Sequence, residues 1–395
     1  MYLTNLPICQ LTNLPMKKVL GYLLKLIATL LLITCVFLFA TGKTWVFKAL
    51  VYNFVDIDDN DIFIQRKVEA GIAQPWPLAS NYNKQTLDTN TANELSRERS
   101  VAYLVIHHDS LVYEAYWDGY SDSSLSNSFS MSKSVIGMLT GVALKEGKIK
   151  SLDQTVGAFI PEYANNSKGK LTLRNLITMS AALSWDEAYA SLFSVTTEAY
   201  YGKDLTGLMN RLEVVDTPGV NYYYQGGATQ LLAMVIMRAT GKNLSEYASE
   251  KLWKPLGAEH AAEWTIDKDG GIEKASCCIY SNARDFAKLG GLYLHFGNWI
   301  GQQLIDTSFV MESVMPAPLL DEGKPNKEYG YQWWISEIDG EKIFYCRGIL
   351  GQYIVAIPSK NIIMVRLGHH RNQAADKSLI DLPIYVRGAL KLCTP

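Results

Sequence analysis

Long hydrophobic runs are scarce in this chain of 395 residues. Only one stretch, near the start, approaches bilayer length, which excludes a multi-span membrane protein. An excess of one charge is missing as well. The 37 Lys and Arg nearly balance 39 Asp and Glu, leaving a net charge of −2, and that excludes a polybasic nucleic-acid binder. Cysteine is sparse at six residues, too few for a disulfide scaffold. Charge is low at 19% against 48% hydrophobic, so the chain can bury a sizeable core and is not of the disordered class. Several catalytic signatures are absent. No G-x-S-x-G occurs, which disfavours an α/β-hydrolase, and neither H-E-x-x-H nor a P-loop is present. Tyrosine is plentiful at 23 residues, a composition suited to a soluble domain with an aromatic-lined cleft.

The single long apolar stretch runs from Leu26 to Gly42 without a charge, and extends back over Val19–Leu24 with one Lys25 between. Lys17, Lys18 and Lys25 precede it, while Asp56, Asp58, Asp59 and Asp61 follow soon after. That asymmetry predicts residues 16–43 as a membrane anchor or signal sequence, with the bulk of the chain on the periplasmic, extracytoplasmic side. No A-x-A cleavage site follows, which favours an uncleaved anchor over secretion. Leu3-Thr4-Asn5-Leu6-Pro7 recurs as Leu11-Thr12-Asn13-Leu14-Pro15. This duplication is too short for a structural repeat and marks residues 1–15 as a non-native or disordered leader, with Met16 as an alternative start.

Residues 44–98 read as a tether and lead-in, with little periodicity. Val101–Ile106 and Leu111–Trp117 flank a turn-like His107-His108-Asp109-Ser110 and predict a hairpin. Met131 to Glu146 carries apolar residues at helical spacing, closed by Gly147. Residues 150–265 are mostly helical. Strands return at 343–347, 352–357 and 362–367, and a last helix runs near 379–392. Strands at both ends of a helical middle predict one α/β layer interrupted by an inserted helical region of about residues 150–265, within a domain spanning 99–395.

Chemistry concentrates in Ser128-Phe129-Ser130-Met131-Ser132-Lys133-Ser134. Ser130 and Lys133 stand three apart where a helix begins, so they share one face. The free N–H groups and dipole of a helix start favour developing negative charge. A serine needs a nearby base to act as a nucleophile, and an amine withdrawn from water can serve. The plainer reading of S-x-x-K alone is Ser130 as an N-cap and Lys133 as an exposed first-turn residue. Ser132 lacks a Lys three residues on and faces away. A second segment, Thr217-Pro218-Gly219-Val220-Asn221-Tyr222-Tyr223-Tyr224-Gln225-Gly226-Gly227, turns into a helix. A tyrosine there can relay a proton, or the three can simply pack. In a third, Cys346-Arg347-Gly348-Ile349-Leu350-Gly351-Gln352, glycine at a strand end lets substrate approach the backbone, whose N–H groups can form half of an oxyanion hole.

Together these segments resemble the serine β-lactamase/penicillin-binding protein superfamily, in the branch of class C β-lactamases, D-Ala-D-Ala carboxypeptidases, esterases and 6-aminohexanoate-dimer hydrolases, the last most of all. Glu146–Asp153, Pro161–Tyr163, Leu173–Ser180, Ser184–Glu187, Tyr329–Trp334 and Gly348–Pro358 add to the likeness, which covers the chain from about Ile62 onward. The resemblance implies an antiparallel sheet flanked by helices and an acyl-enzyme mechanism. It carries the nucleophile to Ser130, its base to Lys133 and the proton-relaying tyrosine to Tyr224, with the backbone N–H of Ser130 and Ile349 as oxyanion hole. Cys346, Gly348, Trp185 and Trp334 fall where substrate would be held.

Two positions depart from the family pattern. Gly226 replaces the Asn of Y-x-N, and neutral Cys346 replaces the cation of the K-T-G strand, while Arg347 should face the opposite side of that strand. The expected activity is therefore cleavage of a small amide or ester rather than efficient penicillin hydrolysis. The same departures support an alternative: a catalytically silent relative that recognises cell-wall peptides or a protein partner. No cofactor and no metal is expected, since His107 and His108 point apart in a hairpin turn with no further ligands near. His369 and His370 read as a surface loop. The adjacent Cys277 and Cys278 are expected not to pair, because neighbouring cysteines in an extended segment do so only under strain.

Overall fold

The computed structural model describes residues 16–52, 54–374 and 378–394, so the leader at 1–15 lies outside the described residues. The chain divides into two units, residues 1–53 and 54–395. In the first, α1 (Met16–Ala40) and α2 (Trp45–Val51) are helical. At 25 residues α1 is about 37 Å long by the 1.5 Å rise of a helix. It exposes Leu31, Leu32 and Phe39 and is apolar enough to suit a bilayer span or a signal sequence.

The expected tether does not run as one piece. From Phe54 it belongs to the large unit, where β1 (Ile64–Val68) is followed by α3 (Thr89–Arg97). The signal is weak because three of the five residues of β1, Ile-Gln-Arg-Lys-Val, are polar or charged. Its Arg66 is paired at 2.7 Å with the fully buried Glu273. Asp88 caps α3 by accepting the Thr91 N–H.

The predicted hairpin is β2 (Ser100–His107) with β3 (Ser110–Tyr116). After β4 (Ser126–Asn127) come α4 (Ser132–Lys145) and α5 (Gly226–Thr240). Next are β5 (Ala262–Ile266), β6 (Ile279–Ser281) and α6 (Ala283–Leu294). The late strands are β7 (Trp334–Ile338), β8 (Glu341–Gly348), β9 (Gln352–Ile357) and β10 (Ile362–Gly368), closed by α7 (Asp381–Leu392). A six-stranded sheet has the order β7-β8-β9-β10-β2-β3 with every neighbouring pair antiparallel. A smaller sheet is ordered β1-β5-β6-β4. Early and late strands thus share one sheet around the helical middle, the antiparallel architecture expected from the sequence.

Helices cover both faces of the large sheet. Tyr353 pairs with Arg366, and Arg366 with Tyr103, so these three share a face. Tyr385 of α7 packs there, 6.3 Å from Tyr103 and 6.4 Å from Tyr353. The other face, with Ile354 and Ile363, meets α6 at Gly290, where a Cβ would stand 2.9 Å from Ile354. A strand buried on both sides carries no alternation, which is why Val101–Ile106 of β2 and Tyr353–Ile357 of β9 read as continuous apolar runs and β10 as one interrupted only by Arg366.

One buried acid gives a pH-dependent stability. Burial raises the Asp381 carboxyl to about 6, against the pull of Arg366 and a hydrogen bond donated by the Tyr353 hydroxyl. The native state then binds more protons than the unfolded chain between about pH 4 and 6, so stability falls as pH climbs through that window. Asp381→Asn should remove this dependence. Melting curves should show the variant gaining on the wild type from pH 4 to 7, by on the order of 2–3 kcal/mol at most. Parallel curves across that range would exclude the effect.

Candidate active site

The helix expected from Met131 begins at Ser132, after a tight turn over Phe129–Met131. Phe129 sits at φ +42°, in the left-handed region that a bulky residue rarely adopts. The Asn127 carboxamide oxygen accepts its N–H at 2.9 Å, and its ring is buried, so the surroundings hold the turn. Four serines surround this point, and their partners distinguish them. The Ser128 hydroxyl donates to the Phe129 carbonyl and accepts the Ile279 N–H. The Ser132 hydroxyl donates to the Ala275 carbonyl, and that of Ser134 to the Gln332 carbonyl. Those three are buried; Ser130 is only half-buried.

Lys133 is 3% exposed. Its Nζ lies 2.9 Å from Ser130 Oγ and 2.8 Å from the Ser276 carbonyl oxygen, donating to both. No carboxylate pairs with it among the described residues. The plainer reading, an exposed lysine in a first turn, is excluded by this burial. Residues 274–279 form a brace along the start of α4, through Ala275, Ser276 and Ile279. Within the brace Cys277 and Cys278 are joined as a disulfide, contrary to expectation. Extended backbone was the wrong premise, because Cys278 takes φ +76° and the chain turns there.

Tyr224 stands just before α5, with its ring centroid 5.1 Å from Lys133 Nζ. Its ring lies 5.4 Å from Trp334 and 6.0 Å from Tyr329, and Tyr222 packs 5.2 Å from Tyr329 on the far side. The neighbouring Gln225 fixes a second loop, accepting the Leu183 N–H and donating to the Leu183 and Trp185 carbonyls. On that loop Trp185 lies across the start of α5, where a Cβ on Gly227 would stand 2.5 Å from the indole. At Gly226, in place of the family asparagine, a Cβ would find the Glu187 carboxylate at 3.2 Å and Ser276 at 3.4 Å. Glu187 accepts from the Trp185 indole at 2.8 Å, from the Gly226 N–H and from the Tyr189 hydroxyl. The space left by the missing asparagine is thus filled by a carboxylate.

The strand segment differs from expectation. Trp334, the first residue of β7, stands opposite Tyr345, so Cys346, Arg347 and Gly348 run on beyond the last β7 partner. Gly348 is packed against the turn that carries Ser130, with its would-be Cβ 2.3 Å from the Ser128 carbonyl oxygen, and Ile349 opens the turn that follows. Cys346 does not line a substrate pocket. It is 1% exposed, on the inner face near Ser134, and burial pushes its thiol up to about 12. Arg347 does alternate to the other face, but that face is the one bearing Trp334, whose ring centroid lies 3.7 Å from the guanidinium carbon. Trp333, next to Trp334, is fully buried against Tyr293. His369 is buried too and bonds Asp56 at 2.6 Å. Sequence reasoning missed Glu187 as a filler of the gap at Gly226 and Arg347 as a cation against the Trp334 ring, which itself lies beside Tyr224. A bare glycine in a family-specific polar position was the available signal for the first.

The Beta-lactamase family model matches residues 88–381. The 6-aminohexanoate-dimer hydrolase of Paenarthrobacter ureafaciens is 26% identical over 285 residues, covering 67% of this chain and 71% of that protein. The structure of a 6-aminohexanoate-dimer hydrolase homologue from Bacillus anthracis superposes with a TM-score of 0.73 at 23% identity, over 85% of this chain and 92% of the other. A family VIII carboxylesterase superposes with a TM-score of 0.61 at 16% identity, over 80% and 98%. The structural likenesses speak to the fold.

Proposed function

We propose, from the premise that this chain belongs to the Beta-lactamase family of serine hydrolases, that it cleaves a small amide or ester through an acyl-Ser130 intermediate. One observation carries the reading: a half-buried serine hydroxyl lies 2.9 Å from a buried lysine amine that no carboxylate among the described residues neutralises. Lys133, when neutral, takes the Ser130 proton as Oγ attacks the acyl carbonyl. The tetrahedral oxyanion then lies between the N–H groups of Ser130 and Ile349, donors that need no reorganisation. Tyr224, whose hydroxyl has no hydrogen-bond partner among the described residues, passes a proton to the leaving amine or alcohol. Water cleaves the acyl-enzyme by the reverse sequence. Trp185 and Trp334 wall the site. An amide is favoured by the likeness to the 6-aminohexanoate-dimer hydrolase. With α1 as an uncleaved anchor, the large unit works on the extracytoplasmic side of a membrane.

The test is covalent labelling of the full chain by a fluorophosphonate, read by peptide mass spectrometry. Label on the Ser130 peptide, absent from Ser130→Ala, is the expected result. Equal labelling of both proteins overturns the reading. The filled gap at Gly226 and the buried Cys346 favour a second reading, a silent binder of cell-wall peptides, and peptide binding without any adduct would establish it. Tyr224→Phe should lower kcat by roughly 10²- to 10³-fold in steady-state kinetics while Ser130 still takes the label. Near-normal kcat would remove Tyr224 from the relay.

A further inference from the structure

The brace at residues 274–279 is tied down at both ends. Thr265 of β5 accepts the Lys274 N–H at 2.8 Å and donates its own N–H to the Cys278 carbonyl at 3.0 Å. Gln230 of α5 accepts the Ala275 N–H at 2.8 Å. From this frame three residues reach the turn that carries Ser130. The Ala275 carbonyl accepts from the Ser132 hydroxyl, and Ile279 bonds Ser128 through both its N–H and its carbonyl. The Ser276 carbonyl accepts from Lys133 Nζ. That carbonyl and Ser130 Oγ are the two hydrogen-bond partners of the amine among the described residues.

The disulfide stands beside that carbonyl, because Cys277 follows Ser276 directly and is joined to Cys278. A disulfide steadies a fold chiefly by closing a loop of the unfolded chain, and the gain grows with the length of that loop. Between neighbours there is no loop to close, so this bond is not a staple of the fold. What it fixes is local backbone, by tying two side chains across the peptide that joins them. Cys278 takes φ +76°, in the left-handed region where a residue with a Cβ is uncommon. Once the sulfurs part, Cys278 can return to the ordinary region, and the peptide planes around it turn as it does. The Ser276 carbonyl lies in the plane that leads into the pair. Access is one-sided: Cys277 is half-buried and Cys278 is buried, so an incoming thiolate meets the Cys277 sulfur first. Cys35, Cys346 and Cys393 are free thiols, so this is the one bond among the described residues that a reductant can open.

We propose that the Cys277–Cys278 disulfide is a redox-operated lock on Lys133. Closed, it holds the Ser276 carbonyl against Nζ and keeps the amine aimed at Ser130. Opened by a dithiol, it lets the carbonyl swing away and the amine lose its aim. The exchange balances: one thiolate of the reductant forms a mixed disulfide with Cys277 and expels the Cys278 thiolate, which takes up a proton. The second thiol of the reductant then closes its own disulfide and releases Cys277 as a thiol, so two electrons and two protons have passed to the protein. Cys277 and Cys278 act through Ser276 and are positioning residues. On the proposed extracytoplasmic side disulfides persist, so the locked form is the resting one. The catalytic meaning of the lock rests on the acyl-Ser130 reading.

The test is steady-state kinetics of the full chain on a p-nitrophenyl ester, before and after native reduction with dithiothreitol. Alkylation and peptide mass report the state of both thiols. Reduction should lower kcat by about 10- to 100-fold and leave KM within about 2-fold, and reoxidation with diamide should restore kcat. Cys277→Ser/Cys278→Ser should match the reduced protein and ignore the dithiol. Unchanged kcat with both thiols free overturns the proposal. So does a disulfide that withstands excess dithiothreitol in the folded protein, or a loss that reoxidation does not reverse. Hydrogen-exchange mass spectrometry reads the lock without turnover. Faster exchange at 274–279 and 128–133 on reduction, in a protein whose Ser130 takes no fluorophosphonate, supports the lock while the acyl-Ser130 reading falls; unchanged exchange in that protein overturns the lock as well. A labelled Ser130 with kcat indifferent to reduction sinks the lock alone.

Discussion

Turnover of any ester or amide substrate should fall by at least about 10⁴-fold in Ser130→Ala, with the folded state unchanged. The hydroxyl is half-exposed and makes no packing contribution comparable to the buried Ser128, Ser132 or Ser134. Loss of one oxygen there removes the proposed nucleophile and little else. Lys133→Ala should come close to the same loss in kcat, because a nucleophile and base of the kind proposed act as a unit and their effects do not add. The double variant should therefore be little worse than either single one. Progress curves with p-nitrophenyl esters, run at high enzyme concentration, measure all three. Additive losses, with the double variant at the product of the two singles, would show that serine and lysine do not share one proton path. Ser132→Ala is the control, since its hydroxyl is committed to the Ala275 carbonyl.

Arg366→Met should cost roughly 3–5 kcal/mol of stability, on the order of 10 °C in melting temperature. Arg366 is fully buried in β10, and each of its three side-chain nitrogens donates to a fixed oxygen. Nε donates to the Ser100 hydroxyl, Nη1 to the carbonyls of Leu350, Gly351 and His370, and Nη2 to that of Glu98. Gly351 leaves room for it, since a Cβ there would stand 2.4 Å from Nη1. Methionine fills the volume but takes the donor from the Ser100 hydroxyl and from the Leu350, Gly351 and His370 carbonyls, leaves the Glu98 carbonyl only the His370 N–H, and strips Asp381 of a nearby positive charge. Arg366→Lys should recover little, because a single ammonium cannot span the same fork. Calorimetric unfolding of the three proteins decides this. A melting temperature within about 2 °C of wild type for Arg366→Met would show that the carbonyls find other donors. Leu350 and Gly351 belong to the turn that opens with Ile349, so the loss should also depress kcat in whatever fraction remains folded.

Much of the fold was legible because helix and strand periods are local. The hairpin at 100–116, the helix behind Ser130 and the three late strands all carry their own apolar patterns. β1 was not legible, since its pairing with β5 is fixed by residues about 200 positions away and its own sequence is polar. At the site, S-x-x-K spacing pointed to Ser130 and Lys133, but nothing local tells which face of β8 looks at the cleft. Alternation gave the right relation between Cys346 and Arg347 and no sense of which one points inward. That sense comes from the register of Trp334 against Tyr345 and from the Ser134 hydroxyl near Cys346. The cysteine pair failed for a similar reason: the backbone angle at Cys278 is a tertiary outcome.

The place of β2 in the large sheet bears on how the protein is made. Its free side is closed by β10, whose first residue, Ile362, pairs with His107. The hairpin leaves the ribosome with that apolar edge open and must wait for about 255 further residues. At translation rates of 5–20 residues per second the wait is roughly 10–50 s. An unpaired, largely apolar strand exposed for that long is a target for chaperones and a risk for misassembly. Chains truncated before Ile362 should accumulate as aggregates rather than as soluble, partly active enzyme.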